Sequence, residues 1–119
     1  MENYLLIFRG GRQNQNQTEE ETQAHMAKWG AWMNKLIESN QFVGGDPLEN
    51  ESNMLYKNDS GSIATDGPYP EGKELVGGYV MIKADNREKA IEIAKGCPIF
   101  EDDGTLEIRK TASMENHHK

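Results

Sequence analysis

The residues between 66 and 74 hold the densest set of groups able to do chemistry: Asp66-Gly67-Pro68-Tyr69-Pro70-Glu71-Gly72-Lys73-Glu74. Asp66, Glu71 and Glu74 can accept or return protons, Tyr69 can donate a hydrogen bond through its phenol, and Lys73 can pair with an anion. Two prolines and two glycines restrict the chain around them, and a stiff connection makes polar groups easier to position. The plain alternative is a polar turn between strands. A second candidate is His25, whose imidazole type titrates near neutrality and so suits a general acid or base. With Asp66 fixing its tautomer, His25 would form a catalytic couple; the plain alternative is a half-exposed helix histidine. Tyr69, Glu71 and Lys73 are candidate ligand-binding groups, joined by Arg109 as an anion anchor. Arg109 could equally serve in a cross-strand ion pair beside Glu107, and Tyr69 could simply pack.

Other chemistries find little support. There is no Cys/His spacing of the zinc type and no acidic loop of the EF-hand form, so no metal site is expected. His117-His118 lie next to each other after the last periodic segment. Gly10-Gly11 and Gly44-Gly45 lack the spacing of a phosphate loop or dinucleotide fingerprint, and no cofactor is expected. The net charge is −7, from 13 basic and 20 acidic side chains, with the lysines scattered among acids. That balance argues against nucleic acid, whose binding needs a basic footprint, and against anionic membrane surfaces. Cys97 is the single cysteine; no internal disulfide can form, and it reads as a small core filler. The apolar run Tyr4 to Phe8 is too short for a signal peptide or a membrane span. A cytoplasmic setting is the expectation.

The 119 residues suffice for one core, and hydrophobic residues make up 35% of them. One domain is expected over 1–111, with a disordered tail over 112–119. Tyr4 to Phe8, ended by Arg9-Gly10-Gly11, reads as a strand covered on both faces. Thr18 and Glu21 form a capping box, and Met26, Trp29, Trp32, Met33, Leu36 and Ile37 recur at helical spacing, predicting a helix that ends near Ser39-Asn40. Trp29 and Trp32 read as core wedges. Phe42-Val43 starts a second strand. Asn58-Asp59-Ser60-Gly61 is a turn between two short strands, a hairpin. Leu75 to Ala84 is a second apolar strand, and Gly77-Gly78 within it predicts a bulge or a close backbone approach. Asp85 caps a second helix, with Ala90, Ile91, Ile93 and Ala94 inward and Gly96 and Pro98 at its end. Glu101-Asp102-Asp103-Gly104 reads as a solvated turn before an alternating strand, Thr105 to Thr111.

The order of elements predicts an α+β fold: a ferredoxin-like βαββαβ arrangement with an extra hairpin and both helices on one face of an antiparallel sheet. The opposite sheet face then carries apolar side chains from both central strands. Soluble monomers rarely leave such a patch in water, so a two-fold homodimer is expected.

Asp66-Gly67-Pro68-Tyr69, followed by Glu71, Lys73, Glu74 and Gly77-Gly78-Tyr79, resembles the signature of the DGPF subgroup of the YCII-related proteins. Tyr69 stands where that pattern has phenylalanine. The likeness extends through Asp85 to Ala94, Cys97-Pro98 and Gly104 to Arg109, and touches Tyr4 to Phe8 and Trp32 to Leu48. The resemblance implies a dimeric α/β barrel with a cleft near the loop, and a small molecule bound there. It does not imply one settled activity. Some relatives pair a helix-borne histidine with an aspartate, which His25 and Asp66 could reproduce in acid–base chemistry of a lyase or isomerase kind. The alternative it implies is a non-enzymatic regulatory or interaction module linked to transcription sigma factors.

Overall fold

The computed structural model describes residues 1–10, 18–49, 51–66 and 75–112, with the Asp66 side chain excepted. The chain runs β1 (Glu2–Arg9), α1 (Glu19–Glu38), β2 (Phe42–Pro47), β3 (Met54–Lys57), β4 (Ile63–Asp66), β5 (Val76–Ala84), α2 (Arg87–Lys95), a 3-10 helix (Pro98–Asp102) and β6 (Thr105–Lys110). Four strands form one antiparallel sheet in the order β2-β5-β1-β6, while β3 and β4 form a separate two-stranded sheet. This is the ferredoxin-like arrangement with an added hairpin.

Alternation along the central strands sorts side chains onto two faces. In β1, Tyr4, Leu6 and Phe8 are buried, while Leu5 and Ile7 on the other face are half-buried. In β5, Val80, Ile82 and Ala84 are buried and Tyr79 and Met81 are half-buried. The buried set packs with Trp32 and Leu36 of α1, Ala90 of α2, and Cys97 and Ile99 beyond it. Leu5, Ile7, Tyr79 and Met81 therefore lie on a face that no helix covers.

The first helix starts as its residues dictate. The Thr18 hydroxyl accepts from the Glu21 amide at 3.1 Å, and the Glu21 carboxylate accepts from the Thr18 amide at 3.5 Å. Three acids occupy its first turn, where the helix dipole favours them. Its inward face is narrower than the periodicity predicts: Trp32 and Leu36 are buried, but Met26 and Ile37 are 66% and 54% exposed. A 20-residue helix overhangs what one sheet face can cover. The second helix is capped by Asn86, not Asp85; its side chain accepts from the Lys89 amide at 2.9 Å. Ala90 and Ala94 point inward, while Ile91 is partly exposed.

The glycine pair in β5 behaves as its sequence predicts. The pairing register with β1 shifts between Phe8 and Arg9, opposite Gly78 and Val76. Across the β2–β5 pair the backbones come close enough that a Cβ on Gly45 would lie 2.5 Å from the Tyr79 carbonyl oxygen. The tail expected over 112–119 falls, beyond residue 112, outside the described residues.

Candidate functional site

Between α1 and the β2 edge of the sheet lies a pocket of about 540 Å³. Its walls are mainly apolar: Phe8 from β1, Trp29 and Met33 from α1, Val80 from β5 and Ile99 from the 3-10 helix. Gly45, Gly77 and Gly78 lie along one side. Its polar side chains meet at the end under α1, where His25 and Asp102 lie. On the opposite sheet face Tyr79 donates its hydroxyl to Asp46 Oδ2 at 3.3 Å across the β2–β5 pair.

The His25 cluster is built by three local devices. Thr18 fixes where α1 begins, and hence the helical face on which His25 and Trp29, four residues apart, stand over one another. Pro98, next to the buried Cys97, starts the 3-10 helix, and that short helix delivers Asp102 to α1. Lys28 then ties the two elements together, its ammonium donating to Glu101 at 2.7 Å. That hydrogen bond holds the Lys28 ammonium pKa above its ordinary value, although the pair is solvent-exposed.

Asp102 Oδ2 lies 2.7 Å from His25 Nε2, with the two side chains only 12% and 24% exposed. The Trp29 indole N–H donates to the same nitrogen at 3.0 Å. The two partners make opposite demands. A carboxylate approaches Nε2 favourably only when that nitrogen carries a proton, whereas the indole needs its lone pair. The two contacts are therefore alternatives: Nε2 can donate to Asp102 or accept from Trp29. A ring nitrogen with an acceptor and a donor both within reach has the geometry that general acid–base work requires. Trp29 itself is locked by edge-on contacts with Phe8 at 5.3 Å and Trp32 at 5.9 Å.

Of the candidates read from sequence, His25 lines the pocket. Asp66 ends β4 on the hairpin; its side chain is outside the described residues, as are Tyr69, Glu71 and Lys73. Arg109 is exposed on β6 opposite Leu5, on the face turned away from the helices, so it does not join His25 within the chain. The partner of His25 that sequence reading missed is Asp102, taken for part of a solvated turn. Nothing in the spacing links residue 25 to residue 102; the only cue was Cys97-Pro98, which predicts an ordered turn rather than a slack one. Trp29, read as a core wedge, is also the wall and hydrogen-bond donor of the site.

Cys97 is 3% exposed, and burial pushes its thiol up to about 12, so it offers no nucleophile. Among the described residues no group of three or more His, Cys, Asp or Glu could hold a metal ion.

Residues 5–115 match the model of the YCII-related domain. The chain belongs to the YCII-related family. No curated protein matches this YCII-related chain in sequence. Among solved structures, it is similar to 5-chloro-2-hydroxyhydroquinone dehydrochlorinase from Burkholderia phenoliruptrix AC1100, determined in complex with 2,5-dihydroxybenzoquinone. The likeness covers 95% of this chain and 97% of that one, with a TM-score of 0.51 and 13% sequence identity. At that identity the YCII-related chain and the dehydrochlorinase share a fold, and the similarity reaches no further. No described helix is long and apolar enough to cross a membrane.

Proposed function

We propose that this YCII-related domain binds a small, flat, mainly apolar molecule in the His25 pocket and moves a proton on it through His25 Nε2. The observation that carries the reading is the meeting of Asp102 and Trp29 on one imidazole nitrogen inside an apolar pocket. A volume of about 540 Å³ falls in the range of small-molecule sites, and few polar groups among aromatic walls is their usual composition. The described lining contains carboxylates and an imidazole but no lysine or arginine, which favours neutral ligands over anions. A hydroxylated six-membered ring suits such walls, and the solved relative is an enzyme of a hydroxylated ring. Proton abstraction and return at a ring carbon is the reaction class, of the lyase or isomerase kind. The protein works as a homodimer in this reading, because Leu5, Ile7, Tyr79 and Met81 need cover on the face without helices.

The test is binding and exchange with hydroquinone and resorcinol, both neutral near pH 7. Quenching of tryptophan fluorescence should report occupancy next to Trp29. In deuterated water, loss of ring-proton signal should be faster with the wild-type protein than without it, and His25→Gln should remove the acceleration. Absence of binding to either ring at millimolar concentration would sink the reading.

A further inference from the structure

The β3–β4 hairpin is well made in its turn and unsupported everywhere else. Asn58 Oδ1 accepts from the Ser60 and Ser62 amides at 3.1 and 3.0 Å, and Gly61 adopts the positive φ of 89° that the turn needs. Yet the two strands form a sheet of their own, with their principal contacts to each other. A two-stranded hairpin alone in water is marginal at best. Besides the polar Lys57 and Thr65, its strands carry large apolar side chains that a hairpin in water has no use for. Met54, Leu55, Tyr56 and Ile63 are between 50% and 67% exposed. Pairing of Tyr56 with Ala64 and of Lys57 with Ile63 puts Met54 and Tyr56 on one face and Leu55 and Ile63 on the other. Both faces of the arm carry exposed apolar side chains.

The arm springs from a defined place. It leaves after Pro47 of β2 and its end leads back towards Val76 of β5, at the edge of the main sheet. That edge adjoins the second apolar surface left without cover, the face bearing Leu5, Ile7, Tyr79 and Met81. The sizes of the two surfaces connect them. Strands about 4.8 Å apart, rising about 3.4 Å per residue, give a four-stranded face a footprint on the order of 400 Å². A stable interface takes about 800 Å² from each partner. Accessible area exceeds a flat footprint, so the sheet face alone reaches only the lower end of that size, and four large exposed apolar side chains on the arm extend it.

We propose that the β3–β4 hairpin is an intermolecular clasp: each copy's arm packs against a second copy of this chain, extending the sheet-to-sheet contact. The inference rests on the homodimer stated above and adds to it the element that enlarges the contact. The clasp also explains why the arm, whose principal contacts among the described residues are between its own two strands, keeps large apolar residues on both faces.

Sedimentation or light scattering on three proteins tests it: wild type, the arm variant Leu55→Asp with Ile63→Asp, and the sheet-face variant Met81→Glu. Wild type should run at twice the 13.4 kDa chain mass at micromolar concentration. The arm variant should weaken dimerisation by at least about 100-fold, with unchanged secondary structure by circular dichroism, because the arm supports nothing else in its own chain. Backbone amides of β3 and β4 should gain hydrogen-exchange protection as wild-type concentration rises. An arm variant that dimerises like wild type overturns the clasp. If Met81→Glu nevertheless dissociates, the sheet-face dimer survives without it. A wild-type monomer at tens of micromolar overturns both.

Discussion

Replacing each tryptophan of α1 in turn by alanine separates core from pocket wall. Trp32 is 7% exposed, and its indole N–H donates to the Ile93 carbonyl at 3.1 Å, fastening α1 to α2. Its removal takes a nearly fully buried ring out of the core and strips a hydrogen bond, so Trp32→Ala should cost about 3–5 kcal/mol. Trp29 touches Phe8 and Trp32 edge-on but borders a pocket of about 540 Å³ that opens to solvent. Water can fill the space its indole vacates, so the cavity penalty largely disappears. What remains is the transfer of a half-buried ring, its edge-on ring contacts and its hydrogen bond to His25, roughly 2–3 kcal/mol. Guanidinium unfolding of both variants and the wild type should therefore rank Trp32→Ala below Trp29→Ala in stability. The comparison uses one protein concentration, since the stability of the proposed homodimer would depend on it. Equal losses would refute the reasoning, because they would mean that Trp29 is enclosed core and the pocket beside it is closed.

Three further outcomes follow from the same geometry. Asp102→Asn keeps the shape at His25 but removes the charge that favours a proton on Nε2; ring-proton exchange should slow about 100-fold while ligand affinity, read by fluorescence, changes little. Gly45→Ala would place a Cβ 2.5 Å from the Tyr79 carbonyl oxygen and 2.9 Å from Val80 Cα, so it should lower stability by about 1–3 kcal/mol, whereas Gly44→Ala meets nothing within 4 Å and should not; thermal melts of the pair decide it. Cys97 ionises at an ordinary 9.0 when unfolded and at about 12 when folded, so above pH 9 the unfolded state sheds its proton first. Stability should then fall with rising pH, by up to about 1.4 kcal/mol per unit, and Cys97→Ala should flatten that slope in alkaline denaturation curves.

Much of the scaffold was legible because it is specified locally. The Thr18–Glu21 capping box, the Asn58–Gly61 turn and the Gly77-Gly78 irregularity each involve neighbouring residues whose preferences do not depend on the rest of the molecule. The α1 stripe was read too wide, because periodicity shows which residues share a face but not how far the sheet beneath them extends; Met26 and Ile37 overhang it. At the second helix, Asp85 and Asn86 are both good caps, and only the path of the chain out of β5 selected Asn86.

The site divides along the same line. Sequence alone marked His25 as the imidazole worth watching, determined the order of strands and helices, and told from the two apolar strands that a second sheet face would need cover. Its partner was a matter of tertiary structure. Asp102 reaches His25 because Pro98 opens a 3-10 helix against α1 and Lys28 holds Glu101 beside it, contacts between segments far apart in the chain. Trp29 shows the same limit: one indole is at once packing for Phe8, wall of a pocket and donor to His25. Helical spacing can place such a ring on a face, but what that face meets is decided only when the sheet and the 3-10 helix close around it.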